Sequence, residues 1–192
     1  MSLVDNLDKE TIRQKFLSKR RGLSKLFVKG RSNLIAQKLL GQNVILGKNR
    51  ISAYLAINNE VDTNELIDKL IEKGSTILIP AYFEQDCQYH LTQFENWRDL
   101  EQGPQGIWQP SNAKPIDPKN LEVSILPGIA FSKKGVRLGY GKGIFDKLLY
   151  RSKALKIGLA YDFQIIDEIP QEKHDLVMDV VVTEERVIFH SS

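Results

Sequence analysis

The sequence lacks the residues that disulfide-bonded, exported or membrane-spanning proteins need. Cys87 is the only cysteine, so neither an internal disulfide nor a cysteine-ligated metal cluster can form, and a reducing cytoplasm is the expected setting. The longest apolar runs, around residues 77–81 and 177–182, are far too short to span a bilayer. The first residues also lack a basic start followed by an apolar segment, so we expect neither export nor a membrane partner.

Motifs of covalent and metal-dependent hydrolytic catalysis are missing as well. The chain has no serine nucleophile elbow, no HExxH and no CxxC, and its three histidines are scattered. Internal repeats, low-complexity segments and Pro/Gly/Ser-rich linkers are also absent. With 192 residues, 42% of them hydrophobic, the simplest organisation is a single domain over residues 1–192 with one sizeable core.

Positive charge is concentrated at one end of the chain. Residues 1–50 hold 12 lysines and arginines against 3 acidic residues, whereas the remainder holds 15 against 21, for a net charge of only +3. Such asymmetry favours an anionic partner, either nucleic acid or a small anionic ligand, with a solvated helical face as the plain alternative. Because aromatic residues are not interleaved with the basic ones and no RNA- or DNA-binding motif is present, we expect no nucleic-acid partner.

Apolar strands alternate with amphipathic helices along most of the chain. The pattern predicts strands in RISAYLAI, STILIP, residues 88–94, EVSILP, KIGLAYD and LVMDVVVT, with RVIFH as a hairpin partner at the end. Because strand, helix and strand in succession form crossover units, we predict a three-layer α/β/α domain with a mostly parallel central sheet. Ligands are then expected beyond the carboxyl ends of the strands.

The first predicted helix carries two cations on one side. Asp8 is its expected N-cap, and Ile12 and Phe16 share an apolar face. Lys9 and Arg13, four residues apart, share another face, so both cations should point the same way.

Two more helices are predicted before residue 75. One starts at Ser24 or Ser32, and the other covers residues 62–73, where Asp62 and Glu65 are spaced as a capping box. The residues expected to face the core are Leu34, Ile35, Leu39 and Leu40 in the former and Leu66, Ile67, Leu70 and Ile71 in the latter.

The most informative segment is a glycine-rich loop within residues 126–146, LPGIAFSKKGVRLGYGKGIFD. Gly135, Gly139, Gly141 and Gly143 allow the backbone to turn its N–H groups into one concavity, and the following helix adds its positive end. Phosphate is the ligand that such a concavity fits best. The loop is neither a Walker motif nor a dinucleotide fingerprint, because no GKS or GKT follows the last glycine and the GYGKG core has the wrong spacing.

Charged side chains of the loop strengthen this hypothesis. Arg137 and Lys142 would add fixed positive charge. Asp146, in the first turn of the following helix, would either cap that helix or hold Mg²⁺ beside the phosphates. The alternative is an ordinary glycine-rich turn in which Asp146 is only an N-cap.

The loop sequence LPGIAFSKKGVRLGYGKGIFDKLL resembles the signature of the 5-formyltetrahydrofolate cyclo-ligases, also called methenyltetrahydrofolate synthetases. Other segments resemble that family's successive blocks in the same order: the first helix with Lys9 and Arg13, AYLAINNEVDT, GIWQP, GLAYDFQ, IPQEKHD and DVVVTE. The resemblance covers nearly the whole chain and implies the same layered α/β architecture.

The resemblance implies a cytoplasmic ligase that uses ATP and Mg²⁺ to close 5-formyltetrahydrofolate to 5,10-methenyltetrahydrofolate. In the implied mechanism ATP phosphorylates the formyl oxygen, the 10-amine attacks the activated carbon, and phosphate leaves. Such catalysis is placement and charge stabilisation and needs no protein nucleophile, which agrees with the missing motifs. The partner is then a small molecule, including folates with an anionic glutamate tail, and we expect the enzyme to be a monomer.

The resemblance also implies which residues form the site. The catalytic residues are Arg137, Lys142 and Asp146, and the metal ligands are Asp146 and Asp175, although Asp175 could instead orient a turn. The implied ATP-binding residues are Lys9, Arg13, Arg137, Leu138, Gly139, Tyr140, Gly141, Lys142, Gly143, Ile144 and Phe145.

On the folate side the resemblance points to Glu60, whose carboxylate can accept hydrogen bonds from the guanidine-like nitrogens of a pterin. Leu55 and Tyr140 are the further substrate-binding candidates. Trp108 could wall an aromatic ligand, or it could be an interior or rim tryptophan of an irregular segment.

Near the ligand, the loop departs from the family pattern at three positions. Lys142 stands where a glycine is usual, and Ile144 and Phe145 stand where paired tyrosines are usual, which removes two hydroxyl groups beside the substrate. Another ATP-dependent ligase or kinase, using the same loop on a different small acid, is the alternative among enzymes.

Overall fold

The computed structural model describes residues 8–150, 152–172 and 175–190; residues 173–174 of the IPQEKHD segment lie outside this part. Its α-helices are α1 (Lys9–Arg21), α2 (Lys25–Leu40), α3 (Asn64–Glu72) and α4 (Ile144–Leu148). Its strands are β1 (Arg50–Ser52), β2 (Thr76–Phe83), β3 (Gln88–Gln93), β4 (Leu100–Gln102), β5 (Trp108–Pro110), β6 (Val123–Pro127), β7 (Ala130–Ser132), β8 (Arg137–Leu138), β9 (Leu155–Leu159), β10 (Ile165–Ile166), β11 (Val180–Val182) and β12 (Val187–Phe189). Across these ranges, no helix combines the length and the hydropathy that crossing a membrane requires.

Among the described residues, seven strands form a central sheet in the order β12-β11-β9-β6-β1-β2-β3. The strands from β11 to β2 run parallel, and β12 and β3 are antiparallel to their neighbours at the two edges. The succession of β1, α3 and β2 is the crossover unit that the sequence predicts, with Ile51 beside Ile77 in the register. The predicted α/β class with a mostly parallel central sheet is therefore confirmed.

One face of the central sheet packs against α2 and α3. Ile35 and Leu39 of α2 and Ile67 of α3 are fully buried there against sheet residues such as Ile51 and Ile125. Every residue of β6 is buried, as expected for a strand covered on both faces. This apolar layer supplies the largest share of the burial that stabilises the fold.

The opposite face is covered by α4 and a small sheet, β10-β7-β8. Leu78, Leu126 and Val181 of the central sheet contact Phe131 of β7 and Leu149, the residue that follows α4. Helix α1 packs in turn on the small sheet. Its Ile12 and Phe16 belong to one buried cluster with Ile129, Ala130 and Leu138, which lie in or beside that sheet. The small sheet therefore fixes α1 beside the glycine loop that follows β8.

The helix boundaries follow the capping residues with one correction. Asp8 caps α1 as predicted, and Ser24 rather than Ser32 is the N-cap of α2; each side chain accepts a hydrogen bond from a backbone amide of the first turn. The capping box predicted at Asp62 is wrong: Thr63 is the N-cap of α3, and it makes no side-chain cap bond. The Asp62 carboxylate instead accepts from the amide of Asn64 at 2.9 Å, which is a turn before the helix.

Two residues predicted to face the core are exposed. Leu34 is 45% exposed and Ile71 is 38% exposed. Each lies one residue, or about 100° around the helix, from the buried stripe of its own helix, so the apolar face is narrower than the sequence suggests.

The buried face of α2 provides a test of this packing. Leu39→Ala should lower the free energy of unfolding by about 2–5 kcal/mol, because Leu39 has no exposed surface and its removal leaves a cavity. Leu26→Ala on the same helix, where the side chain is 83% exposed, should change it by less than about 0.5 kcal/mol. Urea unfolding followed by circular dichroism measures both, and equal losses in the two variants would contradict the assigned core.

Candidate functional site

A cavity of about 490 Å³ opens beyond the carboxyl ends of β1 and β6. Its wall includes Tyr54 and Leu55, which follow β1, and Pro127, the last residue of β6. Ligands of α/β sheets bind at this edge, so the location agrees with the prediction, and the volume suits a small molecule.

The cavity brings together every residue that the sequence analysis assigned to the site. Those that line it are Lys9, Arg13, Leu55, Glu60, Arg137, Leu138, Gly139, Tyr140, Gly141, Lys142, Gly143, Ile144, Phe145, Asp146 and Asp175. Their shared location is a finding, whereas the ligand that each would bind stays a prediction.

Helix α1 contributes Lys9 and Arg13 from the same face, as predicted. Lys9 Nζ donates to Glu172 Oε1 at 2.8 Å and to Asp175 Oδ2 at 2.7 Å. Desolvation opposes its charge, but these hydrogen bonds prevail and raise the pKa of Lys9. Arg13 Nε donates to the carbonyl oxygen of Gly139 at 2.9 Å, which attaches α1 directly to the glycine loop.

The backbone of the loop has the conformation that its glycines predict. Gly141 and Gly143 have φ values of +87° and +63°, in the left-handed region that favours glycine. Within the described part of the chain, none of the N–H groups of residues 139–143 has a hydrogen-bond partner. A row of backbone donors in the wall of a cavity is suited to an anion, because one anion can accept from several N–H groups at once.

Asp146 does not cap the helix that follows the loop, so that alternative is wrong. Gly143 is the N-cap of α4, without a side-chain bond. Asp146 Oδ2 instead accepts from Arg137 Nη2 at 2.8 Å, and its Oδ1 accepts from the amide of Leu176 at 3.3 Å. The carboxylate is held at the cavity wall by a buried arginine and by the chain beside Asp175.

Arg137 is nearly buried, at 7% exposure, and two of its nitrogens are used locally. Nη2 binds Asp146, and Nη1 donates to the carbonyl oxygen of Pro127 at 3.3 Å. Its Nε is buried without a hydrogen-bond partner among the described residues. Lys142, by contrast, is exposed, and it forms no ion pair with any of the described residues.

Asp175 takes part in a turn, as its alternative role requires. Its Oδ2 accepts from the amide of Glu172 at 2.7 Å in addition to Lys9 Nζ. The two roles are compatible, because the same carboxylate lines the cavity.

Glu60 forms the buried polar end of the cavity. Its side chain is 4% exposed, and Oε2 accepts from the amide of Ile57 at 3.0 Å. Burial raises the pKa of Glu60 to about 7, although the positive charge of Arg20, 3.9 Å away, and the Ile57 amide oppose the shift. The carboxyl group is therefore poised to titrate near neutral pH.

Arg20 is the residue that the sequence analysis missed. It is 1% exposed, and its Nη2 donates to the hydroxyl oxygen of Tyr140. The available signal was its position on α1, because residues 9, 13 and 20 fall within about 40° of one another around a helix.

Trp108 lies at the rim of the cavity and is 45% exposed. It begins β5 of the two-stranded sheet β4-β5, and Gln105 and Ile107 line the cavity beside it. The irregular segment therefore contributes one side of the opening.

Fold and site together define an α/β protein whose cavity combines a glycine-rich loop with a buried carboxyl group. The model of the 5-formyltetrahydrofolate cyclo-ligase family matches residues 5–184. This chain belongs to that family, so it is a ligase of folate metabolism.

Individual relatives agree with this assignment. The chain is 29% identical to the 5-formyltetrahydrofolate cyclo-ligase of Mus musculus over 193 aligned residues, which cover 94% of this chain and 95% of the mouse protein. The NMR structure of the 5,10-methenyltetrahydrofolate synthetase of Aquifex aeolicus matches with a TM-score of 0.85 at 30% identity, covering 96% of this chain and 93% of that one. The synthetase structure from Mycoplasma pneumoniae, at 24% identity and a TM-score of 0.73 over 93% of this chain and 99% of that one, supports the fold.

The buried carboxyl group predicts how stability depends on pH. Native Glu60 keeps its proton up to about pH 7, whereas an unfolded glutamate releases it near 4.5, so the native state binds more protons in this window. Stability should fall as the pH rises through it. Glu60→Gln should remove on the order of 3 kcal/mol of this pH dependence.

Urea unfolding of both proteins between pH 4.5 and 8 measures this difference. The control is Glu72→Gln, an exposed position at the end of α3, whose curve should run parallel to that of the wild type. A parallel curve for Glu60→Gln would show that Glu60 does not titrate in this window.

Proposed function

We propose that the protein catalyses the ATP-dependent closure of 5-formyltetrahydrofolate to 5,10-methenyltetrahydrofolate, with release of ADP and phosphate. The observation that carries the proposal is one cavity lined both by residues 139–143, whose amides have no hydrogen-bond partner among the described residues, and by the buried Glu60. Family membership supplies the reaction, and this geometry supplies a place for each of its two substrates.

The phosphates of ATP are assigned to the glycine loop. Its amides are oriented donors, and Lys9, Arg13 and Lys142 line the same wall. Arg137 adds a further cation whose Nε has no described partner. Inside a cavity these charges act in a lower dielectric than water provides, so they can stabilise the negative charge that moves between oxygens during phosphoryl transfer.

Asp146 and Asp175 suit Mg²⁺, because this ion is usually held by one or two carboxylates together with substrate phosphates. The amide of Leu176, the neighbour of Asp175, donates to Asp146, so both carboxylates belong to one wall. In the described ranges no group of three or more His, Cys, Asp or Glu side chains could hold a metal. The ion would thus depend on the nucleotide, and when bound it offsets charge on the phosphate oxygens.

The folate is assigned to the other end of the cavity. Glu60 offers an acceptor to the ring nitrogens of the pterin, and Leu55 adds an apolar surface. Trp108 can pack on an aromatic ring at the opening. Tyr140 belongs to both ends, since its backbone lies in the glycine loop while its hydroxyl accepts from Arg20 beside Glu60.

This arrangement lets the chemistry proceed by placement. The formyl oxygen attacks the γ-phosphorus and ADP leaves, which converts a poor leaving group into a good one. The 10-amine then attacks the formyl carbon and loses its proton. The C–O bond breaks with its electron pair on the departing phosphate, and the methenyl bridge remains. The contribution of the protein is to hold both substrates and to stabilise charge.

We also propose the setting of the enzyme. Cys87 is exposed in the turn between β2 and β3, which favours a reducing cytoplasm. We propose in addition that residues 1–192 act as one domain and as a monomer, with the folate and ATP rather than nucleic acid as its ligands.

The proposed reaction is tested by mixing the protein, Mg-ATP and 5-formyltetrahydrofolate and following the near-ultraviolet absorbance of methenyltetrahydrofolate. Asp146→Asn should lower the rate by on the order of 100-fold while circular dichroism shows an intact fold, because the site loses a carboxylate that would hold the Mg²⁺ whose charge offsets that of the phosphates. Asp167→Asn, at an exposed ion pair with Lys133, should keep the wild-type rate.

Two outcomes would contradict the proposal. A wild-type protein that binds ATP but never raises this absorbance would favour a ligase or kinase that acts on another small acid. A wild-type rate in Asp146→Asn would remove the role of Asp146 in holding the metal.

A further inference from the structure

Arg20 is a buried arginine with a partner on each of three segments that surround the cavity. Its Nε donates to the carbonyl oxygen of Asn58 at 2.9 Å, and Nη1 donates to the carbonyl oxygen of Gly128 at 3.3 Å. Its Nη2 donates to the hydroxyl of Tyr140 and lies 3.9 Å from Glu60 Oε1. The guanidinium therefore connects the segment after β1, the turn after β6 and the glycine loop.

Two of these contacts involve the side chains assigned to the folate. Glu60 and Tyr140 line the cavity, whereas Arg20 lies behind them and does not line it. Arg20 thus acts on a ligand through these two residues.

The position of Arg20 on α1 extends the basic face of the helix. Lys9, Arg13 and Arg20 share one side of α1, and a helix advances roughly 16 Å between residues 9 and 20. Lys9 binds Glu172 and Asp175, Arg13 binds the carbonyl oxygen of Gly139, and Arg20 lies beside Glu60. A single helix therefore reaches both ends of the cavity.

The charge of Arg20 opposes the burial of the Glu60 carboxylate. A carboxyl group that is 4% exposed favours its neutral form, and a neutral carboxyl loses acceptor capacity toward ring N–H donors. Because the groups that face Glu60 come from several elements, the balance depends on all of them: Arg20 of α1, Tyr54 after β1, Arg137 and Tyr140 of β8 and the glycine loop, and Tyr161 after β9. Among these groups, Arg20 is the cation that most strongly opposes the rise in the pKa of Glu60.

We propose that Arg20 is the positioning residue of the folate site: its guanidinium, 3.9 Å from Glu60 and hydrogen-bonded to the Tyr140 hydroxyl, holds both side chains in place for the pterin ring and favours a negative charge on Glu60. This inference rests on the proposed function. It assigns Arg20 an effect on folate binding that a purely structural arginine would not have.

The test is the dissociation constant of 5-formyltetrahydrofolate, measured by titration calorimetry without ATP between pH 6 and 9. Arg20→Met should weaken binding at pH 7.5 by roughly 10- to 100-fold, the range expected when a hydrogen-bonded charge is lost. The pH above which binding becomes constant should also move upward in this variant. Arg20→Lys, which keeps the charge, should restore part of the affinity and most of the wild-type pH profile.

The matched control is Arg21→Met on the same helix, where the side chain is exposed, and it should bind the folate like the wild type.

A second arm uses Glu60→Gln, which removes the titrating group and so reveals any titration of the ligand itself. In this background Arg20→Met should weaken binding clearly less than it does when Glu60 is present, because only the effect through the Tyr140 hydroxyl remains. The double variant, Arg20→Met with Glu60→Gln, leaves neither member of this ion pair buried without its partner. It can therefore be measured even if Arg20→Met alone does not fold.

The outcomes separate this inference from the proposed function. If the wild type does not bind 5-formyltetrahydrofolate, the proposed function fails. If the wild type binds but Arg20→Met keeps its affinity and pH profile, Arg20 is structural and the inference is wrong. The inference would also be wrong if Arg20→Met weakened folate binding equally in the wild-type and the Glu60→Gln backgrounds.

Discussion

Two arginines of α1 hold the glycine loop at the edge of the central sheet. Arg13 binds the carbonyl oxygen of Gly139 at 2.9 Å, and Arg20 binds the hydroxyl oxygen of Tyr140. Both contacts use oxygens of the loop, so its backbone N–H groups are not consumed by them. A loop that is fastened through its acceptors keeps its donors for a ligand, and the proposed phosphate site depends on this constraint.

Charge pairing is the second constraint on the cavity. Lys9 is paired with Asp175, Arg137 with Asp146, and Arg20 with Glu60, so each of these three cations has a carboxylate beside it. An unpaired buried charge would destabilise the fold. Under the proposed function, the phosphates carry negative charge and Mg²⁺ carries positive charge. In the first two pairs the cation can therefore bind a phosphate in place of its carboxylate, and the carboxylate can bind Mg²⁺ in place of its cation. The third pair lies deeper and stays with the folate end.

Local patterns in the sequence predicted most of the fold, whereas the family resemblance supplied most of the residues that line the cavity. Capping by Asp8 and Ser24 acts over a few residues and is confirmed, and the apolar strands lie where they were predicted, although the first covers only Arg50–Ser52 of RISAYLAI. The capping box at Asp62 failed because a nearer amide competed for the carboxylate. Arg20 was missed because, in the run KRR, its burial depends on Asn58 and Gly128, which are remote in sequence. The strand order had no local signal either, since it follows from contacts between distant segments.

The central claim is that the backbone amides of residues 139–143 bind the phosphates of a nucleotide. A crystal structure of the protein with Mg-ADP tests it most directly. The account predicts the two phosphates within hydrogen-bond distance of these amides, with the adenosine outside the end of the cavity that Glu60 forms. A nucleotide bound elsewhere, with the glycine loop empty, would contradict the claim.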